Sequence, residues 1–343
     1  MKVKANHLTA ARVILLPLPY VLLYGDTNSR IAALVILCLL GITDYLDGLL
    51  ARRDGATALG AMLDPLADKI FTAVMLLPLL DLDILPLWIV WPIFLREFLV
   101  TELRYVLKKA GIDLKVTELA KIKTTLQMTG AGLILITDTF PDIMVPVAFI
   151  SGALIATTFL AIGLYIRDGQ LSTRIKTALS LLTAALVIRL MTDVHTCILV
   201  YGSVIMAITL ASGTQYVLKG LPECIRKGPF AILRVFASIT IPLLAASLVA
   251  VAPERNITVL VLAIICLEFT AQGLDMWATQ KGKRDLSKWR TIFILPVCLG
   301  TLLAFWILRG PLDAVYMFLM AAIVMDSLYL GAQAAMTIKG STV

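Results

Sequence analysis

Apolar stretches of about 17–25 residues recur along the whole chain, each closed by charged residues or by proline, glycine and aspartate. They fall at about 8–24, 31–50, 64–80, 84–107, 119–137, 144–166, 174–190, 195–217, 230–250, 257–277, 290–308 and 312–336. A backbone in hydrocarbon finds no water to bond, so segments of this length must satisfy their own hydrogen bonds as helices. Composition agrees, with 59% hydrophobic residues and a mean hydropathy of +0.92. The expected fold is all-α, a polytopic membrane protein of about 12 transmembrane helices.

With that count the linkers alternate sides, and the basic residues sort accordingly. One set holds Lys2 and Lys4; Arg52 and Arg53; Lys108, Lys109, Lys115, Lys121 and Lys123; Arg167, Arg174 and Lys176. It continues with Lys219, Arg226 and Lys227, the cluster from Lys281 to Arg290, and Lys339. The other set has mainly Asp81, Asp83, Asp138, Asp142 and Asp193. The positive-inside rule then puts both termini and the basic linkers on the cytoplasmic side of the cell (inner) membrane. This distribution directs the net charge of +7 toward anionic lipid and phosphate rather than nucleic acid. The basic start of the chain does not read as a signal peptide, because Arg12, Pro17 and Pro19 interrupt its apolar run. The five cysteines are scattered without CxxC spacing and read as small hydrophobes.

Acids inside apolar runs are costly, so Asp44, Asp47, Asp64 and Asp68 are functional candidates by default. Asp44 and Asp47 are three apart, and Asp64 and Asp68 four, so each pair shares a helix face. The short link between them, with Arg52, Arg53, Gly55 and Gly60, lets the two helices face each other. Four carboxylates held close repel unless a cation lies between them. An all-oxygen donor set of this size suits Mg²⁺ or Mn²⁺, as a pair of ions, better than zinc. Gly48 and Gly60 allow close approach of a ligand, and Arg52, one turn beyond Gly48, offers a two-pronged grip on phosphate. The residues alone leave open which of the four acids acts as a base.

The chain also repeats itself. AKIKTTLQMTGAGLILITD from Ala120 is echoed by TRIKTALSLLTAALVIRLMTD from Thr173. PFAILRVFASITIPLL from Pro229 echoes HLTAARVILLPLPYVLL from His7, and CLEFTAQGLDMWATQ from Cys266 overlays CLLGITDYLDGLLAR from Cys38. In that overlay Gln272 and Asp275 stand where the first copy has Asp44 and Asp47. Nothing in the second copy replaces Asp64 and Asp68. Two domains are expected: a catalytic six-helix domain at 1–168, and a permuted, degenerate six-helix repeat at 169–343 without the catalytic aspartates.

The stretch from Asp44 to Asp68 resembles the signature of the CDP-alcohol phosphatidyltransferases, Asp-x2-Asp-Gly-x2-Ala-Arg followed by Gly-x3-Asp-x3-Asp. Asp44, Asp47, Gly48, Ala51, Arg52, Gly60, Asp64 and Asp68 carry the match, with seven residues between Arg52 and Gly60 where the family usually has eight. The resemblance covers about residues 5–168. It implies transfer of a phosphatidyl group from CDP-diacylglycerol to an alcohol, releasing CMP, with the four aspartates as metal ligands and Asp68 as base. Asp47, Gly48, Ala51, Arg52 and Gly60 would then take the CDP diphosphate.

REFLVTELR from Arg96 and KIKTTLQM from Lys121 are similar to segments of the family branch that forms phosphatidylglycerophosphate. Glycerol 3-phosphate is a dianion, and Arg96, Arg104, Lys115, Lys121 and Lys123 are the candidates to bind it. Inositol phosphate or another polar alcohol is the competing acceptor. A transporter or lipid scramblase carrying a relict motif is the competing class, suggested by the duplication. Six-helix members of the family are typically dimers. The resemblance therefore implies a homodimer, or a second half that stands in for the partner.

Overall fold

In the computed structural model, residues 5–54, 60–114, 117–171, 173–251, 254–280 and 312–339 are described. For residues 44–54 and 60–63 the description extends to the backbone alone. Every described element is an α-helix: α1 (Ala5–Leu15), α2 (Pro17–Leu22), α3 (Thr27–Asp54), α4 (Gly60–Asp81), α5 (Leu87–Lys109), α6 (Glu118–Thr139) and α7 (Met144–Asp168). The order continues with α8 (Thr173–Met191), α9 (Val194–Ala211), α10 (Thr214–Arg226), α11 (Pro229–Val251), α12 (Arg255–Gln280) and α13 (Leu312–Lys339).

The all-α expectation stands, but the count of about 12 transmembrane helices does not. Among the described residues, four segments are long and apolar enough to cross a membrane: Met144–Arg167, Val194–Ala211, Pro229–Ala250 and Arg255–Thr279. The physical reason is visible helix by helix. The first run is divided at Leu16 into α1 and α2. Both α5 and α6 carry four or more charged side chains within their span, and α4 carries Asp64, Asp68, Lys69 and Asp81. The run at 290–308 lies outside the described residues. The shared cytoplasmic side of the termini rested on an even set of crossings and is withdrawn with it.

Compactness divides the chain into one unit of Met1–Lys115 with Gly213–Val343 and another of Val116–Ser212. The division at residue 168 expected from the repeat follows sequence similarity and cuts the chain elsewhere.

In the first unit, α4 and α5 form the interior. α5 buries Ile89, Val90, Ile93, Phe94, Phe98, Val100, Leu103, Val106 and Leu107, packed against by α4, α10, α11 and α12. α4 is covered in turn by α1, α2, α11 and α12, and α13 lies on α12. α10 comes close to α5 because Gly220 has no side chain. A Cβ there would lie 2.9 Å from Leu103 Cβ, closer than carbon atoms pack. Phe98 of α5 stacks on Phe269 of α12, with ring centroids 4.1 Å apart.

The second unit consists of α6 to α9, with α6 on α9 and α7 on α8. Thr117 and Asp193 cap α6 and α9 by accepting backbone N–H bonds from Ala120 and Thr196. α7 ends at Gly169, whose φ of +69° suits the left-handed C-cap. Its outer face presents Phe149, Ile155, Phe159, Leu160, Ile162 and Ile166, all exposed, as expected of a helix whose solvent is lipid.

Candidate active site

The site begins with a pairing of helix faces. α1 packs against both α3 and α4, the two helices that carry the four aspartates. On α4, Asp64 and Asp68 are one turn apart, with Pro65 between them removing one backbone donor. On α1, Thr9 and Arg12 are three apart and therefore share a face. The two pairs meet as two rungs. Thr9 Oγ1 donates to Asp64 Oδ1 at 3.0 Å, and a terminal guanidinium nitrogen of Arg12 lies 3.5 Å from Asp68 Oδ1.

Burial differs sharply between the partners. The Arg12 side chain is 0% exposed and that of Asp68 is 38% exposed. A fully buried guanidinium thus stands behind a carboxylate that a ligand can still reach. The next residue, Lys69, reaches α5 and α12. Its ammonium donates to Thr101 Oγ1 at 2.6 Å and lies 5.1 Å from the Phe269 ring centroid. α12 therefore supports α4 immediately beside its acidic turn.

Asp44, Asp47, Gly48, Ala51 and Arg52 lie on α3, and Gly60 opens α4. Their side-chain positions lie outside the described residues, and only the one-turn spacing of Asp44 and Asp47 on a helical backbone is established. Among the described residues no three of His, Cys, Asp and Glu form a metal cluster. Asp64 and Asp68 nevertheless fit a hard divalent cation. Both are carboxylates on one helix face, Thr9 fixes one, and the other keeps an accessible side.

The basic candidates divide between the two units. On α5, Arg96 is buried and donates to Glu97 Oε1 at 3.1 Å, and its stem lies against Gly213. Arg104 donates to Tyr216 Oη of α10 at 3.0 Å. Neither makes a hydrogen bond or ion pair with Asp64 or Asp68. In the second unit, Lys123 is buried on α6, near Gln127, which donates to Thr209. Lys121 lies on α6 with its side chain outside the described residues, and Lys115 is outside them altogether.

Thr9 and Arg12 are additions that the sequence reading passed over. The signal for Arg12 was present: a lone charge in the apolar run at 8–24 is as costly as an acid in one. Thr9 carried no such signal.

Comparison with known proteins places the chain in a family. The sequence profile of CDP-alcohol phosphatidyltransferase matches residues 2–164. A Rickettsia typhi protein named CDP-diacylglycerol–glycerol-3-phosphate 3-phosphatidyltransferase is 36% identical over 141 residues, covering 40% of this chain and 78% of the relative. A Bacillus subtilis protein of the same name is 33% identical over 145 residues, 38% of this chain and 75% of the relative. A Mycobacterium tuberculosis probable phosphatidylglycerophosphate synthase is 35% identical over 158 residues, 45% of this chain and 75% of the relative. The chain belongs to the CDP-alcohol phosphatidyltransferase family. It is an enzyme of that chemistry, carrying a C-terminal extension beyond the family match.

Proposed function

We propose that the protein transfers the phosphatidyl group of CDP-diacylglycerol to glycerol 3-phosphate, giving phosphatidylglycerophosphate and CMP. The observation that carries this reading is the two-rung contact of Thr9 and Arg12 with Asp64 and Asp68, in a segment similar to relatives named for that reaction. In this reading Asp44, Asp47, Asp64 and Asp68 hold two Mg²⁺ or Mn²⁺ ions. The chemistry such ions supply when bound is neutralisation of the diphosphate and of charge developing on it.

The remaining work belongs to the chain. Asp47, Gly48, Ala51, Arg52 and Gly60 hold the CDP diphosphate, the glycines by allowing close approach and Arg52 by a charged fork. Asp68 accepts the proton of the acceptor hydroxyl, whose oxygen attacks the lipid-linked phosphorus as the bond to CMP breaks. Arg12 fixes the Asp68 carboxylate from behind, which shortens the search for a productive geometry.

Arg96 and Arg104 of α5 are the proposed seat of the acceptor phosphate, and Lys115, Lys121 and Lys123 are candidates by sequence alone. Arg96 supports this, because its buried Nε has no hydrogen-bond partner among the described residues. The site faces the cytoplasmic side of the cell membrane, where a lipid enters from the bilayer and a soluble phosphate from water. Residues 169–343 form a degenerate repeat lacking the aspartate signature; within them α10, α11 and α12 cover α4 and α5, as a partner subunit would, and a homodimer is the alternative.

The test is release of CMP from CDP-diacylglycerol by purified full-length protein with Mg²⁺. Glycerol 3-phosphate is expected to drive release, and inositol phosphate and serine are expected to leave it at background. Chelation by EDTA is expected to abolish it, and Mg²⁺ or Mn²⁺ to restore it. Release that is independent of acceptor would overturn the reading, and release driven by inositol phosphate alone would reassign the acceptor.

A further inference from the structure

Between two membrane-length segments lies a helix too short to cross. α10 follows the span Val194–Ala211 by two residues and ends two residues before the span Pro229–Ala250. Its 13 residues extend about 20 Å, against the roughly 30 Å of a hydrocarbon core. Tethers this short keep both of its ends at a membrane boundary.

The two faces of α10 are both apolar, and only one is covered. Tyr216, Gly220 and Cys224 face inward and are buried, packed on α5 with Leu103, Tyr105 and Val106 in one cluster around Cys224. On the opposite face Leu218, Leu221 and Ile225 are 75%, 46% and 60% exposed, at the i, i+3 and i+7 spacing of one stripe. Lys219 and Arg226, seven residues apart and exposed, flank that stripe. Arg226 is aligned by Glu223, which accepts from it at 2.8 and 2.9 Å.

More positive charge gathers at the end of the helix. Lys227 Nζ donates to the Val106 carbonyl at 3.0 Å, which brings it to the end of α5, where Lys108 and Lys109 are exposed. Burial holds the Lys227 ammonium below the usual lysine range, with Lys109 and Arg226 adding to the shift and Glu223 opposing it. Like charges are thus assembled beside exposed leucine and isoleucine, an arrangement that costs energy in water and gains it at an anionic lipid surface.

We infer that α10 is an interfacial helix that docks on anionic lipid, with Leu218, Leu221 and Ile225 among the acyl chains and Lys219, Arg226, Lys227, Lys108 and Lys109 among the headgroups. The lipid consumed in the proposed reaction carries an anionic diphosphate, so a basic interfacial helix concentrates it near α5. That consequence rests on the proposed function; the docking does not.

The full chain with Leu218→benzoylphenylalanine, reconstituted in phosphatidylcholine vesicles holding about 30 mol % phosphatidylglycerol, is irradiated and its 214–226 peptide analysed by mass spectrometry. Lipid adducts are expected at residue 218, with phosphatidylglycerol over-represented. The same probe at Gln215, one turn before Lys219 and on the side of Lys219 and Arg226, is expected to give about fivefold fewer. Lys108→Gln with Lys219→Gln is expected to lower the phosphatidylglycerol-to-phosphatidylcholine adduct ratio about fivefold or more and to leave total adducts unchanged. Water quenching without lipid adducts, or adducts to a second copy of the chain, overturns the docking. Adducts in bulk lipid ratio that ignore the lysine changes overturn the anionic preference. Neither readout depends on catalysis.

Discussion

Asp68→Asn is expected to lower glycerol 3-phosphate-dependent CMP release by about 10³-fold or more. Asparagine keeps the shape of the side chain, and a lowered thermal midpoint is expected beside the lost activity, because the fully buried Arg12 guanidinium loses a counter-charge. What is lost is a proton acceptor and one negative charge of the donor set. Arg12→Lys separates positioning from folding. It keeps a buried positive charge behind the carboxylate and removes the planar fork, so kcat is expected to fall about tenfold with KM for both substrates nearly unchanged. Steady-state kinetics on both variants, with melting curves, decide the matter. Release by Asp68→Asn within about tenfold of the unchanged protein would remove Asp68 from the role of base and return the choice to the other acids.

The two helices that carry the acid pairs are legible in the sequence. One-turn spacing of acids in apolar runs needs only helix geometry to be read, and α3 and α4 carry both pairs. Thr9 and Arg12 were not legible as partners. Their contact with α4 spans 55 residues of chain, and no local pattern states which apolar helices will adjoin.

The overcounted membrane segments have a local cause. Run length alone overlooks the charges inside each run: α5 and α6 carry four or more charged side chains each, and α4 carries Asp64, Asp68, Lys69 and Asp81. α5 accommodates Arg96, Glu97 and Glu102 by burying them under its neighbours α4, α10, α11 and α12. α10 was missed for the opposite reason. Its apolar residues are divided between a face that packs on protein and a face that does not, so no single apolar run marks it.

Glu102 and Asp275 are acids in apolar runs of the sequence, and the structure joins them through one arginine, while Arg104, the in-helix neighbour that spacing offers Glu102, donates instead to Tyr216. Arg234 of α11 donates from Nε to Glu102 Oε2 of α5 at 3.0 Å and from a terminal nitrogen to Asp275 Oδ2 of α12 at 3.0 Å. Tyr329 of α13 donates to the other Asp275 oxygen, and the Tyr105 ring centroid lies 3.7 Å from the guanidinium carbon. The three charged side chains are 6%, 0% and 0% exposed. Four helices, one from the family segment and three from the C-terminal extension, thus converge on a single arginine. In the sequence echo, Arg234 stands where the first copy has Arg12 and Asp275 where it has Asp47. Each arginine has an aspartate at hand, but only Asp68 keeps an open side.

Arg234→Met is therefore expected to be the most damaging single change outside the aspartates. It leaves two carboxylates buried without their shared cation, at a cost of about 3–5 kcal/mol. Glu102→Gln is expected to cost less, because Arg234 keeps Asp275. The informative variant is the triple Glu102→Gln, Arg234→Met, Asp275→Asn, in which no charge remains to be buried. Its melting midpoint in detergent is expected to recover most of what Arg234→Met loses, since a buried ion pair gains little over neutral groups of similar shape. If the triple variant melts as low as Arg234→Met, the side chains act by packing alone. If Arg234→Met melts like the unchanged protein, the C-terminal extension is not held to α5 by this contact. CMP release on the same samples gives the functional reading. A triple variant that is stable but slow would mean that Arg234 sets the position of α5, and with it Arg96 and Arg104, as well as its stability.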